Sequence, residues 1–153
     1  MSLDDLQRRL AELSPVLAPL FSREFGDALI EVEHDRLLAT ASELRDTGFD
    51  RLDMVTAVDR GDHFTMVYRL QSRSLSHAIN LKTRLVCDDP HVDTLCGVWP
   101  AAEWQEREVF DLFGIVFDGH PDLRRILLPE DFEGYPLRKG YENPNVIRRP
   151  DYI

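Results

Sequence analysis

Three runs of alternating apolar and polar residues, Arg51–Val58, His63–Leu70 and Ala78–Val86, constrain the fold of this chain more than any other feature. A period of two sends every second side chain to one face, so each run reads as a half-buried strand. The connections Asp59–Asp62 (DRGD) and Gln71–Ser76 are short and turn-like, and strands so connected pair as antiparallel neighbours. Upstream, Ala28–Glu33 alternates enough for one more strand. Leu3, Leu6, Leu10, Leu13 and Leu17 recur at three and four, the spacing of an amphipathic helix. Ser2 is its N-cap, Asp4 and Asp5 suit its first turn, and Pro15 and Pro19 end it. Asp35 is set to cap a second helix through Leu37, Leu38, Ala41 and Leu44, with Gly48 at C′. The expected class is α+β: an antiparallel-rich sheet covered by helices on one face, followed by an extended C-terminal docking tail.

Composition narrows the function. A chain of 153 residues suits one domain with a real core. No run approaches 18 apolar residues, and the opening MSLDDLQRRLAEL lacks the apolar centre of a secretory signal. An intracellular chain is expected, with any membrane contact indirect. The net charge of −10 opposes nucleic-acid binding, which needs a basic field against phosphate. Cys87 and Cys96 are expected as reduced, packed thiols. With His91 they make a C-x3-H-x4-C spacing, but no fourth ligand follows, so no metal site is expected. His91–Leu95 reads as one more helical turn.

The stretch Trp99–Tyr141 carries the chemistry. Trp99-Pro100 stops what precedes, and a helix is expected over Ala102–Phe113, ended by Gly114. On a helical wheel Val109, Phe110 and Phe113 share a side with Glu106, while Trp104 and Leu112 lie opposite beside Glu108 and Asp111. Both sides are partly apolar, so cover on both is expected. Glu103, Arg107 and Asp111 stand four apart, as in an ion-pair ladder. Glu106 among apolar neighbours is either a general acid with a raised pKa or a carboxylate paired with Arg124 or Arg138. The pairing is the expected arrangement. An acid–base or metal enzyme built on Glu106, Glu108, Asp111 and His120 is the competing class, though His120 stands alone in a turn composition (DGHP). Beyond Gly114 lie five of the nine prolines, and no period persists. Residues 1–117 are therefore read as the α+β domain and residues 118–153 as an extended tail. The tail's Leu123, Ile126, Leu127, Leu128, Phe132, Tyr135 and Tyr141 need a surface, either its own domain, a partner, or both. Its basic pairs Arg124-Arg125, Arg138-Lys139 and Arg148-Arg149 interleave with acids, which points to protein contact.

Three ordered blocks in this stretch carry a resemblance. They are Glu106-Arg107-Glu108-x-x-Asp111-Leu112-Phe113-Gly114-Ile115, Gly119-His120-Pro121-x-Leu123-x-Arg125-Ile126-Leu127 and Gly134-Tyr135-Pro136-Leu137-Arg138-Lys139. Together they resemble the 30-kDa subunit family of respiratory complex I, the 30-kDa (C) subunit of bacterial NADH:quinone oxidoreductase. The resemblance implies a non-catalytic structural subunit of the peripheral arm on the cytoplasmic side of the membrane. It would hold no cofactor, flavin and iron–sulfur clusters residing in partner subunits, and would pack on the 49-kDa (D) subunit and its neighbours. Glu106, Arg107, Glu108, Asp111, Gly114, His120, Pro121, Arg124, Arg125, Pro136, Leu137, Arg138 and Lys139 then form the docking and structural motif. Gly140 departs from the family, whose members commonly carry an acid there. The chain ends at Ile153, which reads as a stand-alone subunit and not the fused C–D form. Equivalent subunits of membrane-bound hydrogenases, deazaflavin dehydrogenases or ferredoxin-linked complexes are the alternative.

Overall fold

The alternating runs form the sheet. In the computed structural model, which describes residues 2–143, β3 (Arg51–Asp59), β4 (His63–Ser72) and β5 (His77–Val86) pair antiparallel in sequence order. Leu52, Val55 and Ala57, then Phe64, Met66, Tyr68 and Leu70, then Ile79, Leu81 and Leu85 all face one buried side. Asn80, Lys82, Arg84 and Arg69 take the other. The register shifts between Leu52 and Met54, so one extra residue bulges there. That bulge keeps Leu52 and Val55 on the same face although they are three apart.

A hairpin of β1 (Phe21–Glu24) and β2 (Asp27–Glu31) completes five strands in the order β1-β2-β5-β4-β3. Its two-residue loop, Phe25-Gly26, has φ of 50° and 87°, the double left-handed geometry that matches strand twist. Phe25 is fully exposed. β2 joins β5 in parallel, with Ala28 opposite Ile79 and Ile30 opposite Leu81. The expected upstream strand is thus real, but it enters as the second arm of a hairpin whose first arm, FSRE, has no readable period.

The helices cover the buried face. α1 (Leu3–Leu13) begins with a reciprocal capping box between Ser2 and Asp5. α2 (Leu37–Asp46) ends at Gly48, whose φ is 107°. Asp35 does not cap it; a 3-10 turn, His34–Arg36, leads straight into the helix. Leu6, Leu10, Leu37, Ala41, Leu44, Trp99, Val109 and Phe113 join the inner sheet face in one cluster. α3 (Ala102–Phe113) has the expected bounds and lies against β3. There the side-chain oxygen Oε1 of Gln105 accepts the Val55 N–H at 2.7 Å, on the edge strand.

His91–Leu95 is no helical turn. His91–Asp93 is a short strand, β6, pairing in parallel with β7 (Val116–Asp118). The intervening α3 makes the crossover that parallel neighbours need. After β7 the described chain is irregular to Asn143. Arg148-Arg149 and the last two prolines lie outside the described residues.

Candidate functional site: a helix clasped by its own strap

The strap, residues 119–143, folds back on α3, and one carboxylate does most of the holding. Asp111 is fully buried. Its Oδ2 accepts three successive backbone N–H groups, from Ile126 at 3.1 Å, Leu127 at 2.7 Å and Leu128 at 2.9 Å. Oδ1 accepts Arg125 Nη1 at 2.8 Å. Burial alone would raise this carboxyl's pKa, but the three N–H groups and Arg125 outweigh it and hold the pKa below the usual range. Arg125 also donates to the Gly134 carbonyl at 3.2 Å and sits over the rings of Phe132 and Tyr135.

Arg107 and Arg138 repeat the device with carbonyls. Arg107 Nε and Nη2 donate to the carbonyls of Arg124 and Arg125 at 3.2 and 3.3 Å, with Asp122 at 3.9 Å. Arg138 Nε donates to the Phe113 carbonyl at 2.6 Å, satisfying the C-terminal end of α3, and its guanidinium lies between Phe64 and Tyr135. Leu137 N–H reaches the Leu112 carbonyl at 3.1 Å, and Lys139 N–H reaches Asp59 at 2.8 Å. Gly114 ends α3 at φ 70° beneath the Tyr135 ring, where a Cβ would overlap the ring. Pro121 and Arg124 are exposed, and Arg124 bonds Asp122. Pro136 is half-buried in the strap.

Two sequence expectations fail here. No ladder runs through Glu103, Arg107 and Asp111, because Arg107 turns to the strap carbonyls and Asp111 takes Arg125. Nor does Glu106 pair with Arg124 or Arg138. The fully buried Glu106 instead accepts the Leu95 N–H at 2.8 Å, the Thr94 hydroxyl, and the Cys96 thiol at 3.5 Å. It ties α3 to the loop after β6. Burial raises its pKa, only partly offset by the Thr94 and Leu95 bonds. Thr94 carries no signal in the sequence, and the spacing that singles out Cys96 groups it with Cys87 and His91, not with Glu106.

The Cys87, His91 and Cys96 spacing does not gather into a site. His91 places its ring nitrogens on Asp118 at 3.0 Å and Asp89 at 3.1 Å, Cys87 points to the Gly61 carbonyl, and both thiols are free. Cys96, Glu106 and His120 do bring donor atoms within 4.8 Å of one another. Their hydrogen bonds oppose metal ligation. His120 Nδ1 accepts the Asp122 N–H at 3.0 Å, so Nε2 carries the proton and donates it to the Glu103 carbonyl at 2.9 Å. Nε2, at 4.0 Å from Glu106, therefore offers no lone pair, and burial pushes the Cys96 thiol up to about 11. The arrangement ties the loop after β6 and the turn at His120 to α3.

On the outer stripe of α3, Trp104 and Glu108 are exposed and Leu112 is half-buried. Trp104 is 60% exposed, contrary to the expected cover on both sides of the helix. Its ring rests on the Arg107 guanidinium at 4.9 Å.

The model for the family described as "Respiratory-chain NADH dehydrogenase, 30 Kd subunit" matches residues 30–145. The chain belongs to this family. All three clasping arginines, Glu106 and Asp111 fall within the matched segment. Among relatives of the 30-kDa subunit, the C subunit of the NADH-quinone oxidoreductase of Moorella thermoacetica is 44% identical over 136 residues, covering 86% of this chain and 92% of that one. The C subunit of Salinispora arenicola is 35% identical over 148 residues, covering 90% and 60%. That of Saccharopolyspora erythraea is 43% identical over 123 residues, covering 76% and 49%. The chain thus spans about half to three fifths of the latter two proteins. Among solved structures, a trypsin-resistant fragment of Nqo5 aligns at TM-score 0.63 and 27% identity over 77% of this chain and 98% of that one. A chain of an archaeal membrane-bound sulfane sulfur reductase aligns at TM-score 0.77 and 24% identity over 99% and 95%, a likeness of fold alone. The antiparallel-rich α+β sheet of the 30-kDa subunit is thereby found in two independent structures.

Proposed function

We propose that this chain is a structural subunit of the peripheral arm of a proton-translocating NADH:quinone oxidoreductase. It packs on the 49-kDa (D) subunit, which supports the quinone-reducing module, and sits on the cytoplasmic side of the membrane. Membership of the 30-kDa family and kinship with bacterial C subunits support this reading. The observation that carries it is the use of charge: Arg107, Asp111, Arg125 and Arg138 all bond strap to helix or strap to itself, so the charged groups of the motif fix the path of the strap.

The subunit holds no flavin or iron–sulfur cluster of its own in this reading. A cluster needs four ligands, all thiolates or two thiolates with two histidines, whereas the two cysteines here point apart, Cys87 to the Gly61 carbonyl and Cys96 to Glu106. Electron transfer belongs to its neighbours, and the chain alone turns nothing over.

A tag on this chain tests the proposal. The purified assembly is expected to contain subunits bearing flavin and iron–sulfur clusters and to oxidise NADH with a quinone, while the chain alone shows no such turnover. Recovery of the tagged chain alone would overturn it. The sister reading, a membrane-bound hydrogenase, deazaflavin dehydrogenase or ferredoxin-linked complex, draws on the fold shared with the archaeal reductase. The electron-input subunit that co-purifies separates the two.

A further inference from the structure

We infer that the outer stripe of α3, Trp104–Glu108–Leu112, is a docking surface for another subunit that presents an apolar hollow lined by a basic side chain. The inference rests on the proposed role as a subunit of a larger assembly and specifies the surface and chemistry of one contact. Trp104, Glu108 and Leu112 follow one another at four-residue spacing, so they line one side of the helix. The strap closes around this line and leaves Trp104 and Glu108 exposed, while Leu112 is half-buried against the core. Leu127 is held by its backbone to Asp111 and Leu137 to Leu112, yet both side chains are more than half exposed. The apolar line therefore broadens at its C-terminal end.

Two features distinguish this stripe from an ordinary exposed helix face. Trp104 is held in advance. The Arg107 side chain beneath its ring is 5% exposed and fixed by two carbonyls, so the indole sits on a buried, immobile cation. A rigid aromatic that loses little freedom on association is the usual centre of a binding hot spot. Glu108 is the other feature. Glu106, Asp111 and Asp122 have partners and Glu103 is half-buried, whereas Glu108 is exposed with no hydrogen bond or ion pair among the described residues. A lone carboxylate between a tryptophan and a leucine is matched by a cation set in an apolar surround, and arginine fits through its planar fork.

Charge decides among occupants. A second copy docking through a two-fold axis sets the stripe against itself, carboxylate facing tryptophan or carboxylate, with no cation supplied. An anionic membrane is repelled by Glu108 and by a chain of net charge −10. A subunit offering arginine or lysine satisfies both ends.

The test uses the tagged chain in cells that assemble the complex. Glu108→Arg is expected to lower the co-purifying subunits at least tenfold, and Glu108→Gln by less. The melting temperature of either purified variant should stay within about two degrees of wild type, because the site is exposed. Replacing Trp104 with p-benzoylphenylalanine and irradiating should crosslink to another subunit at a peptide containing arginine or lysine. Wild-type recovery with both Glu108→Arg and Trp104→Ala overturns the inference. So does a crosslink to lipid, to a second copy, or to residues 144–153 of the same chain. If the unaltered tagged chain itself recovers no partner, the proposed function fails and the inference falls with it.

Discussion

Asp111 and Arg125 meet at 2.8 Å with the carboxylate fully buried, and the same carboxylate receives the next three backbone N–H groups of the strap. One side chain on α3 thus sets the path of four consecutive residues, Arg125–Leu128, that have no secondary structure of their own. Asp111→Asn keeps the size but removes the charge and faces an amide donor toward other donors. It should cost about 3 kcal/mol, within the range for breaking a buried charged pair. Chemical denaturation measures the loss, and faster trypsin cleavage after Arg124 or Arg125 would show that the strap has loosened.

The same group sets an acid limit. Its folded pKa lies below the ordinary value, so its contribution is fully present above the unfolded pKa of about 3.9 and fades as pH falls through the folded one. Asp111→Asn should therefore lose less stability than wild type on acidification below about pH 4.

Glu106 works in the opposite sense. Its folded pKa is raised, so its contribution is present below the unfolded value of about 4.3 and is lost as pH rises through the folded one. Glu106→Gln keeps an acceptor for Leu95 and avoids the buried charge. Its melting temperature relative to wild type should improve between pH 4 and pH 8. Glu106→Leu strands the Leu95 N–H and the Thr94 hydroxyl and should cost about 2–4 kcal/mol near pH 4, and less as the pH rises.

His91 carries a weaker pH signature. Its hydrogen bond to Asp118, then burial acting the other way, then the charges of Asp118 and Asp89 leave its pKa raised. The stabilisation is complete below the unfolded pKa of about 6.5 and disappears as pH climbs through the folded value. The ring is partly exposed, so solvent screening keeps the effect below about 1 kcal/mol. A flat pH profile for wild type minus His91→Gln between pH 5 and pH 9 would refute the pairing.

Phe25 occupies a left-handed hairpin position that asparagine adopts more easily. Phe25→Asn should stabilise the chain by about 0.5–1 kcal/mol, a rise of roughly 1–4 °C in melting temperature for a protein of this size. Gly114→Ala should do the reverse by at least about 2 kcal/mol, combining a left-handed penalty with overlap on Tyr135.

What could be read from the chain followed from local rules. The Trp99-Pro100 stop and Gly114 bounded α3 as observed, and the period-two runs located β3, β4 and β5. Failure came where partners lie far apart in sequence. Which arginine would meet which acid depends on the path of a strap without periodicity, so Arg125 to Asp111 and the loop at Thr94–Cys96 to Glu106 were not foreseeable. Asp59, which receives Lys139 across 80 residues, is of the same kind. Strands of three or four residues such as β1, β6 and β7 are too short for alternation to rise above chance.

The two ends of the sheet have a consequence for the time before the chain meets any partner. An open strand edge invites another strand, and a chain released from the ribosome alone is exposed to that error. The edge at β1 is four residues long and carries Arg23 and Glu24, each engaged in an ion pair with its own domain. At β3 the Gln105 amide occupies Val55, so the helix that bears the family motif also guards the sheet beside it. A substitution meant to probe docking at Gln105 would therefore expose the chain to self-aggregation. The yield of soluble monomer, measured before any assembly assay, is where that would first be seen.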